Sequence, residues 1–119
     1  MQIVVFALHA AFRTGHRFHM ANLIITYWRD IPSAVSVKIG RKEETRMLDT
    51  RFMAAIEMAA MRSGATQSDD YLNDWRRSEP VVVYDDMAAE VEKAKAHLES
   101  HYTHDLIKAL IATGGKASS

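Results

Sequence analysis

Three histidines near the carboxyl end have the residue type and spacing of a metal site. His97, His101 and His104 lie in the segment HLESHYTHD. Spacings of four and three residues place their side chains on one flank of a helix. Histidines on adjacent helical turns can bind zinc, nickel or copper, and Glu99 or Asp105 could act as a further ligand or orient an imidazole. The alternative is a solvated helix face that carries histidine without binding metal, since the glutamate of an HExxH motif is missing.

Two aromatic–arginine units form the second group with chemical potential. The only two tryptophans of the chain lie in the segments WRD and DWRR. Arginine can stack on an aromatic ring, and such a surface can bind a partner peptide or single-stranded nucleic acid. We therefore assign a ligand or partner surface to Trp28, Arg29, Asp30, Trp75, Arg76 and Arg77. The alternative is structural: each tryptophan packs in the core, while the arginines pair with Asp30, Asp74 or helix carbonyls.

The sequence contains no recognisable catalytic motif. It has no Gly-rich phosphate loop, no GxSxG and no Walker pattern. It also has no cysteine, which excludes disulfides, thiol nucleophiles and thiolate-held zinc or iron–sulfur clusters. We predict no cofactor, and the sequence leaves catalysis open.

Composition narrows the classes of partner. The chain has 119 residues, which is the size of one domain, and 15 basic residues balance 15 acidic ones. Zero net charge argues against a general electrostatic attraction to nucleic acid or an anionic membrane. No apolar run approaches the roughly 20 residues that cross a bilayer. We therefore expect a cytoplasmic protein whose partner is another protein or a small molecule.

Residues 1–19 admit two interpretations. The apolar run within MQIVVFALHAAF has no basic residue before it, unlike a signal peptide. One interpretation is a leader outside the domain, with Met20 opening the domain proper. The other is an extra edge strand over residues 3–7. His9, His16 and His19 in this segment form a loose group that we attribute to composition, not to metal binding.

The elements that must position these residues begin with strands. Segments 23–28, 34–39, 43–48 and 81–84 have the β-branched or alternating composition typical of strands. A break over residues 29–33 contains Pro32, which cannot donate a backbone hydrogen bond. Gly40 can adopt the positive φ of a hairpin turn, and the charged segment after it suits a solvated edge strand.

Three helices follow from capping residues and apolar spacing. Asp49 or Thr50 caps a helix that ends at Gly64. Ser68 caps a short helix whose apolar face includes Tyr71, Leu72 and Trp75, with Arg76 and Arg77 in its last turn. Asp85 or Asp86 caps the longest helix, over residues 87–112, and residues 114–119 form a flexible tail. These elements predict a single α+β domain over residues 20–113, with a small, mainly antiparallel sheet of three to four strands, helices on one face and a long C-terminal helix.

Several of these segments together resemble a known family. They are YWRDIP at residues 27–32, RF at 51–52, AI at 55–56, AAMRSG at 59–64, and Tyr71-Leu72 with Trp75. In these features the chain resembles the small bacterial virulence factor domain family, which is also present within staphylococcal conserved virulence factor C. The leader before Met20 departs from the family pattern.

The resemblance implies a bacterial protein without an established activity. The first hypothesis is a non-catalytic accessory or interaction protein that uses the tryptophan–arginine surface. The alternative, implied by the same resemblance, is an accessory protein or enzyme of one-carbon metabolism acting in methyltetrahydrofolate or methyl transfer. In that case the histidine cluster or a pocket near Arg29 would be its site. A concave pocket would favour a small ligand, and a flat exposed patch would favour a protein partner.

Overall fold

Two consecutive hairpins form the centre of the sheet. The computed structural model describes residues 20–117. The predicted leader or strand, with His9, His16 and His19, lies outside the described residues, as do residues 118–119. Strand β1 (Ala21–Trp28) pairs with β2 (Ile31–Ile39), and β2 pairs with β3 (Lys42–Met47), both in antiparallel register.

The other edge of β1 carries two short strands. β4 (Trp75–Arg77) and β5 (Val81–Val83) pair antiparallel with opposite halves of β1. Between them, the Ser78 backbone N–H donates to the Ile25 carbonyl, and the Ser78 hydroxyl accepts from the Ile25 N–H, both at 2.8 Å. The described part of the chain thus forms a five-stranded antiparallel sheet, where the sequence predicted three to four strands.

The first hairpin turns through Arg29 and Asp30, since Trp28 pairs with Ile31. Arg29 has φ 54, a left-handed value, and among the described residues it is the one non-glycine residue with positive φ. The predicted break over residues 29–33 is therefore too long, because β2 already begins at Ile31. Pro32 lies within β2, where the register with β1 shifts, and proline is tolerated at such bulges.

The second hairpin has the turn that the sequence predicted at Gly40. Ile39 pairs with Lys42 across a two-residue turn, and Gly40 has φ 56. β3 is mostly exposed along its length, as expected for a charged edge strand.

Helix α1 (Thr50–Ser63) has the predicted ends. The Asp49 carboxylate accepts from the Arg51 N–H, and Gly64 ends the helix with φ 76. Its buried face consists of Phe52, Ala55, Ile56, Ala59 and Ala60.

The helix predicted to reach Arg77 is wrong over its second half. A 3-10 turn (Ala65–Gln67) leads to α2 (Asp70–Asn73), and residues Trp75–Arg77 are β4. Pairing with β1 satisfies the backbone of β4, whereas Leu72, assigned to the apolar face of the helix, is 73% exposed. The local apolar spacing indicated a helix, and the free edge of β1 overrode it.

The long C-terminal helix is also only partly correct. It is divided into α3 (Met87–His101) and α4 (His104–Ala112). The Thr103 hydroxyl accepts from the Leu106 N–H at 3.2 Å and so caps a new helix. Asp86 caps α3, one of the two residues predicted for that position.

The helices pack against the sheet around one apolar core. α3 packs across β2 and β3 and reaches β1, and α1 packs on β2 and α4. The core unites strand and helix residues, among them Leu23, Val35, Val37, Phe52, Ile56, Val91 and Leu98. This is the predicted α+β architecture. Within residues 20–117, no helix is long and apolar enough to cross a membrane.

Candidate functional site

Trp28 and Trp75, predicted to share a surface, do lie together. They are direct cross-strand partners of β1 and β4, and the Tyr71 ring lies 6.0 Å from Trp28 and 6.2 Å from Trp75. However, Trp28 is fully buried, and its indole N–H donates to the Tyr71 carbonyl at 2.9 Å. Because a buried ring cannot contact a partner, Trp28 belongs to the core and not to a binding surface.

The Arg29 side chain forms hydrogen bonds to two segments that are distant in sequence. Its Nε donates to the Asp74 carboxylate at 2.9 Å, and its Nη1 donates to the Gly114 carbonyl at 2.9 Å. The guanidinium lies 4.6 Å from the centre of the Trp28 ring, and the side chain is only 11% exposed. Through these contacts Arg29 connects the first hairpin to Asp74, which follows α2, and to Gly114, which follows α4.

Residues 114–117, assigned to a flexible tail, lie against this hairpin. Gly114 and Gly115 are buried with positive φ. The Asp30 N–H donates to the Gly115 carbonyl at 2.8 Å, and the Asp30 carboxylate accepts from the Ala117 N–H at 2.7 Å. A Cβ on Gly115 would lie 3.0 Å from Trp28 Cζ3, so the close approach requires glycine.

Arg76 lies on the opposite face of the sheet from Trp75. It pairs across the strands with Tyr27, and its guanidinium lies 4.4 Å from the centre of the Tyr27 ring. Its Nε donates to the Arg29 carbonyl at 2.8 Å, and its Nη2 donates to the Asp30 carboxylate at 3.1 Å. Successive strand residues point to opposite faces, so the pleat divides the predicted surface in two. Arg77, opposite Thr26, is exposed on the face away from Arg76.

A groove of about 480 Å³ opens beside Arg76. Its apolar lining comes from the start and length of α4 and the chain end, namely Leu106, Leu110 and Ala117, together with the rings of Tyr27 and Tyr102. Its remaining lining is polar or charged, namely Asp30, Arg76, Ser78, Glu79 and His101. A concave opening of this volume, lined by apolar and polar groups together, lies in the size range of small-molecule sites.

Tyr102 is the groove residue with the clearest electrostatic perturbation. Burial, and after it the neighbouring Tyr27 side chain, raise the pKa of Tyr102 from 10.0 to about 12. The Tyr102 hydroxyl therefore keeps its proton at neutral pH. It can donate or accept a hydrogen bond but cannot serve as a base there.

The histidines are distributed over two helices. The His97 and His101 rings stack with centres 6.4 Å apart on α3, whereas His104 opens α4 after the Thr103 cap. Within residues 20–117, no group of three or more His, Asp or Glu side chains is arranged to hold a metal ion. Metal binding by His97, His101 and His104 stays a prediction. His101 also contacts the Tyr102 ring, at 5.1 Å between centres, and lines the groove.

Sequence reasoning missed most of the groove. Ser78 and Glu79 precede β5, whereas Tyr102, Leu106 and Leu110 follow α3, and no short motif links these two segments. One local signal was available: Thr103 three residues before Leu106 is a helix-cap pattern, and it would have placed Tyr102 at a helix end.

The comparison with known families confirms the resemblance predicted from the sequence. The model of the family described as Virulence factor matches residues 26–111. This chain belongs to the virulence factor family. The match begins within β1 and ends in α4, so it includes every groove residue except Ala117. No curated protein and no solved structure matches the chain significantly.

Proposed function

We propose that this virulence factor family domain is a non-catalytic accessory protein that binds a small amphipathic ligand in the groove beside Arg76. The observation that carries the proposal is the groove itself, with about 480 Å³ of space between apolar walls and a few charged side chains. Small-ligand sites are concave, apolar for the most part, and oriented by a small number of polar groups.

The hydrogen-bond partners of Arg76 and Asp30 and the protonation of Tyr102 support ligand binding over catalysis. Arg76 and Asp30 form an ion pair. Arg76 also donates to the Arg29 carbonyl, and the Asp30 carboxylate also accepts from the Ala117 N–H. The raised pKa of Tyr102 keeps its hydroxyl protonated. Groups with fixed partners position a ligand well, whereas a general acid or base must exchange a proton near neutral pH.

A groove-filling variant tests the proposal. Ala117 is exposed and lines the groove, so Ala117→Trp should fill it without disturbing the core. Ala54 is exposed on α1 and does not line the groove, which makes Ala54→Trp the matched control. Both variants and the wild type are screened by ligand-observed NMR against one library of small aromatic fragments.

The wild type and Ala54→Trp are expected to share a set of binding fragments that Ala117→Trp no longer binds. Circular dichroism establishes that both variants are folded. The proposal fails if no fragment binds the wild type, or if the fragments that bind are unaffected by Ala117→Trp.

A further inference from the structure

The charged side chains that line the groove differ in whether they have hydrogen-bond or ion-pair partners. Arg76 uses two donors on the Arg29 carbonyl and the Asp30 carboxylate, and one face of its guanidinium covers the Tyr27 ring. Arg76 keeps further N–H donors, but an anion that approached them would be repelled by the adjacent Asp30 carboxylate. The positive charge in the groove is therefore already matched by a negative one.

Both oxygens of Asp30 are also occupied. One accepts from Arg76 at 3.1 Å and the other accepts from the Ala117 backbone N–H at 2.7 Å. Glu79 is exposed at the groove, next to Ser78, and has no hydrogen-bond or ion-pair partner among residues 20–117. Among Asp30, Arg76 and Glu79, the charged side chains that line the groove, Glu79 is thus the one without a partner among the described residues.

The rings of the groove favour the same sign of ligand charge. Tyr102 lines it, and the face of an aromatic ring attracts cations through its quadrupole, whereas one face of the Tyr27 ring is already covered by Arg76. Because Tyr102 keeps its proton, its ring stays neutral and adds no charge that would compete with Glu79. Leu106 and Leu110 provide apolar surface for an uncharged body beside these groups.

We propose that the groove binds a small molecule with a ring-sized apolar body and one primary amine, the ammonium pairing with Glu79 and the body resting on Leu106 and Leu110. This assignment rests on the proposed function, since it names the class of ligand for the same groove. It predicts a preference for cations over anions of equal size.

Three probes with one phenyl body isolate the charge. Phenethylamine is cationic, 2-phenylethanol is neutral and 3-phenylpropionate is anionic. Each is titrated into the full chain at slightly alkaline pH, where ordinary imidazoles are neutral, and the amide shifts of residues 76–79 and 101–110 are followed by NMR. The titrations are repeated with Glu79→Gln and with Glu57→Gln, a control at an exposed position of α1.

Phenethylamine is expected to shift the groove amides saturably and to bind more tightly than the other two probes. Glu79→Gln should weaken its binding about two- to fivefold, the size of an exposed ion pair, and Glu57→Gln should not. Added salt should reduce the preference for the amine.

The other outcomes separate the two proposals. If 3-phenylpropionate or 2-phenylethanol shifts the groove amides as strongly as phenethylamine, or if Glu79→Gln leaves amine binding unchanged, the amine assignment is overturned and the groove remains a binding site. If none of the three probes shifts the groove amides, the groove function and the amine assignment both fail.

Discussion

Tyr27 and Trp28 are neighbours in β1, and each has a guanidinium over its ring, yet the two pairs have opposite environments. Trp28 is buried, and Arg29 beside it is 11% exposed and bonded to Asp74 and Gly114. Tyr27 lines a groove, and its Arg76 is 49% exposed. The comparison teaches that an aromatic–arginine motif does not by itself mark a binding surface. The pleat of the strand decides which pair stabilises the fold and which can meet a ligand.

Removing the aromatic rings of Trp28 and Tyr27 should produce the largest difference in stability between the two pairs. Trp28→Ala should lower the free energy of unfolding by about 3–5 kcal/mol, since it empties a large buried volume. Tyr27→Ala should cost about 1–2 kcal/mol, because its ring is only partly buried. Urea denaturation followed by circular dichroism measures both. Equal costs for the two variants would remove the distinction between the core pair and the groove pair.

A methyl group next to Trp28 should have the next largest effect. Gly115→Ala combines φ 90 with a Cβ 3.0 Å from the Trp28 ring, and we expect a cost of about 2–4 kcal/mol. Gly40→Ala has φ 56 with nothing within 4 Å, and should cost about 1–2 kcal/mol from backbone strain alone. Thermal or urea unfolding compares them, and a Gly115→Ala cost no larger than that of Gly40→Ala would show that the chain end does not pack on Trp28.

Removing the arginine of each pair should produce a smaller difference in stability. Arg29→Ala should cost about 2 kcal/mol, because it leaves the part-buried Asp74 carboxylate and Gly114 carbonyl without their charged donor. Arg76→Ala should cost less than about 1 kcal/mol, as expected for an exposed ion pair. The same urea series measures this difference. A larger cost for Arg76→Ala would mean that the groove arginine, not Arg29, holds the hairpin.

The smallest expected effect is electrostatic and belongs to the groove side. Tyr102 has its folded pKa raised from 10.0 to about 12. A raised folded pKa contributes stability that is complete below the unfolded pKa and is lost as pH rises from about 10 toward 12. In a titration of tyrosinate absorbance, the wild type should show a step near 12 that Tyr102→Phe lacks. A Tyr102→Phe titration identical to that of the wild type would contradict the buried setting of this hydroxyl.

Much of the fold could be predicted because its signals are local. The β-branched run of β1, the glycine of the second hairpin, and the Asp49 and Gly64 ends of α1 each depend on a few neighbouring residues. Backbone geometry at those positions is set by sterics and by the capping hydrogen bond, so short segments suffice. The family segments belong to the same local features, and the family that they indicated is the one whose model matches the chain.

The candidate site could be predicted only in part. The proximity of Trp28 and Trp75 was correct, but the helix assigned to Trp75, Arg76 and Arg77 was wrong, and with it the idea of one shared surface. A helix would have spread these side chains around its axis, whereas a strand sends Arg76 to the face opposite Trp75. The groove depends on residues 27–30, 76–79 and 101–117 meeting, which no local pattern records.

The sequence by itself determined the α+β class, the Gly40 hairpin, the caps of α1 and the family, since each follows from short-range backbone preferences and the periodicity of apolar residues. Only the tertiary structure decided that residues 75–77 extend the sheet, that Gly114 and Gly115 close over Trp28, and that Arg76 faces a groove. The physical reason is that these outcomes depend on competition between distant segments. An unpaired strand edge and a buried ring select their partners by hydrogen bonding and close packing, whatever the local propensity of the segments that fill them.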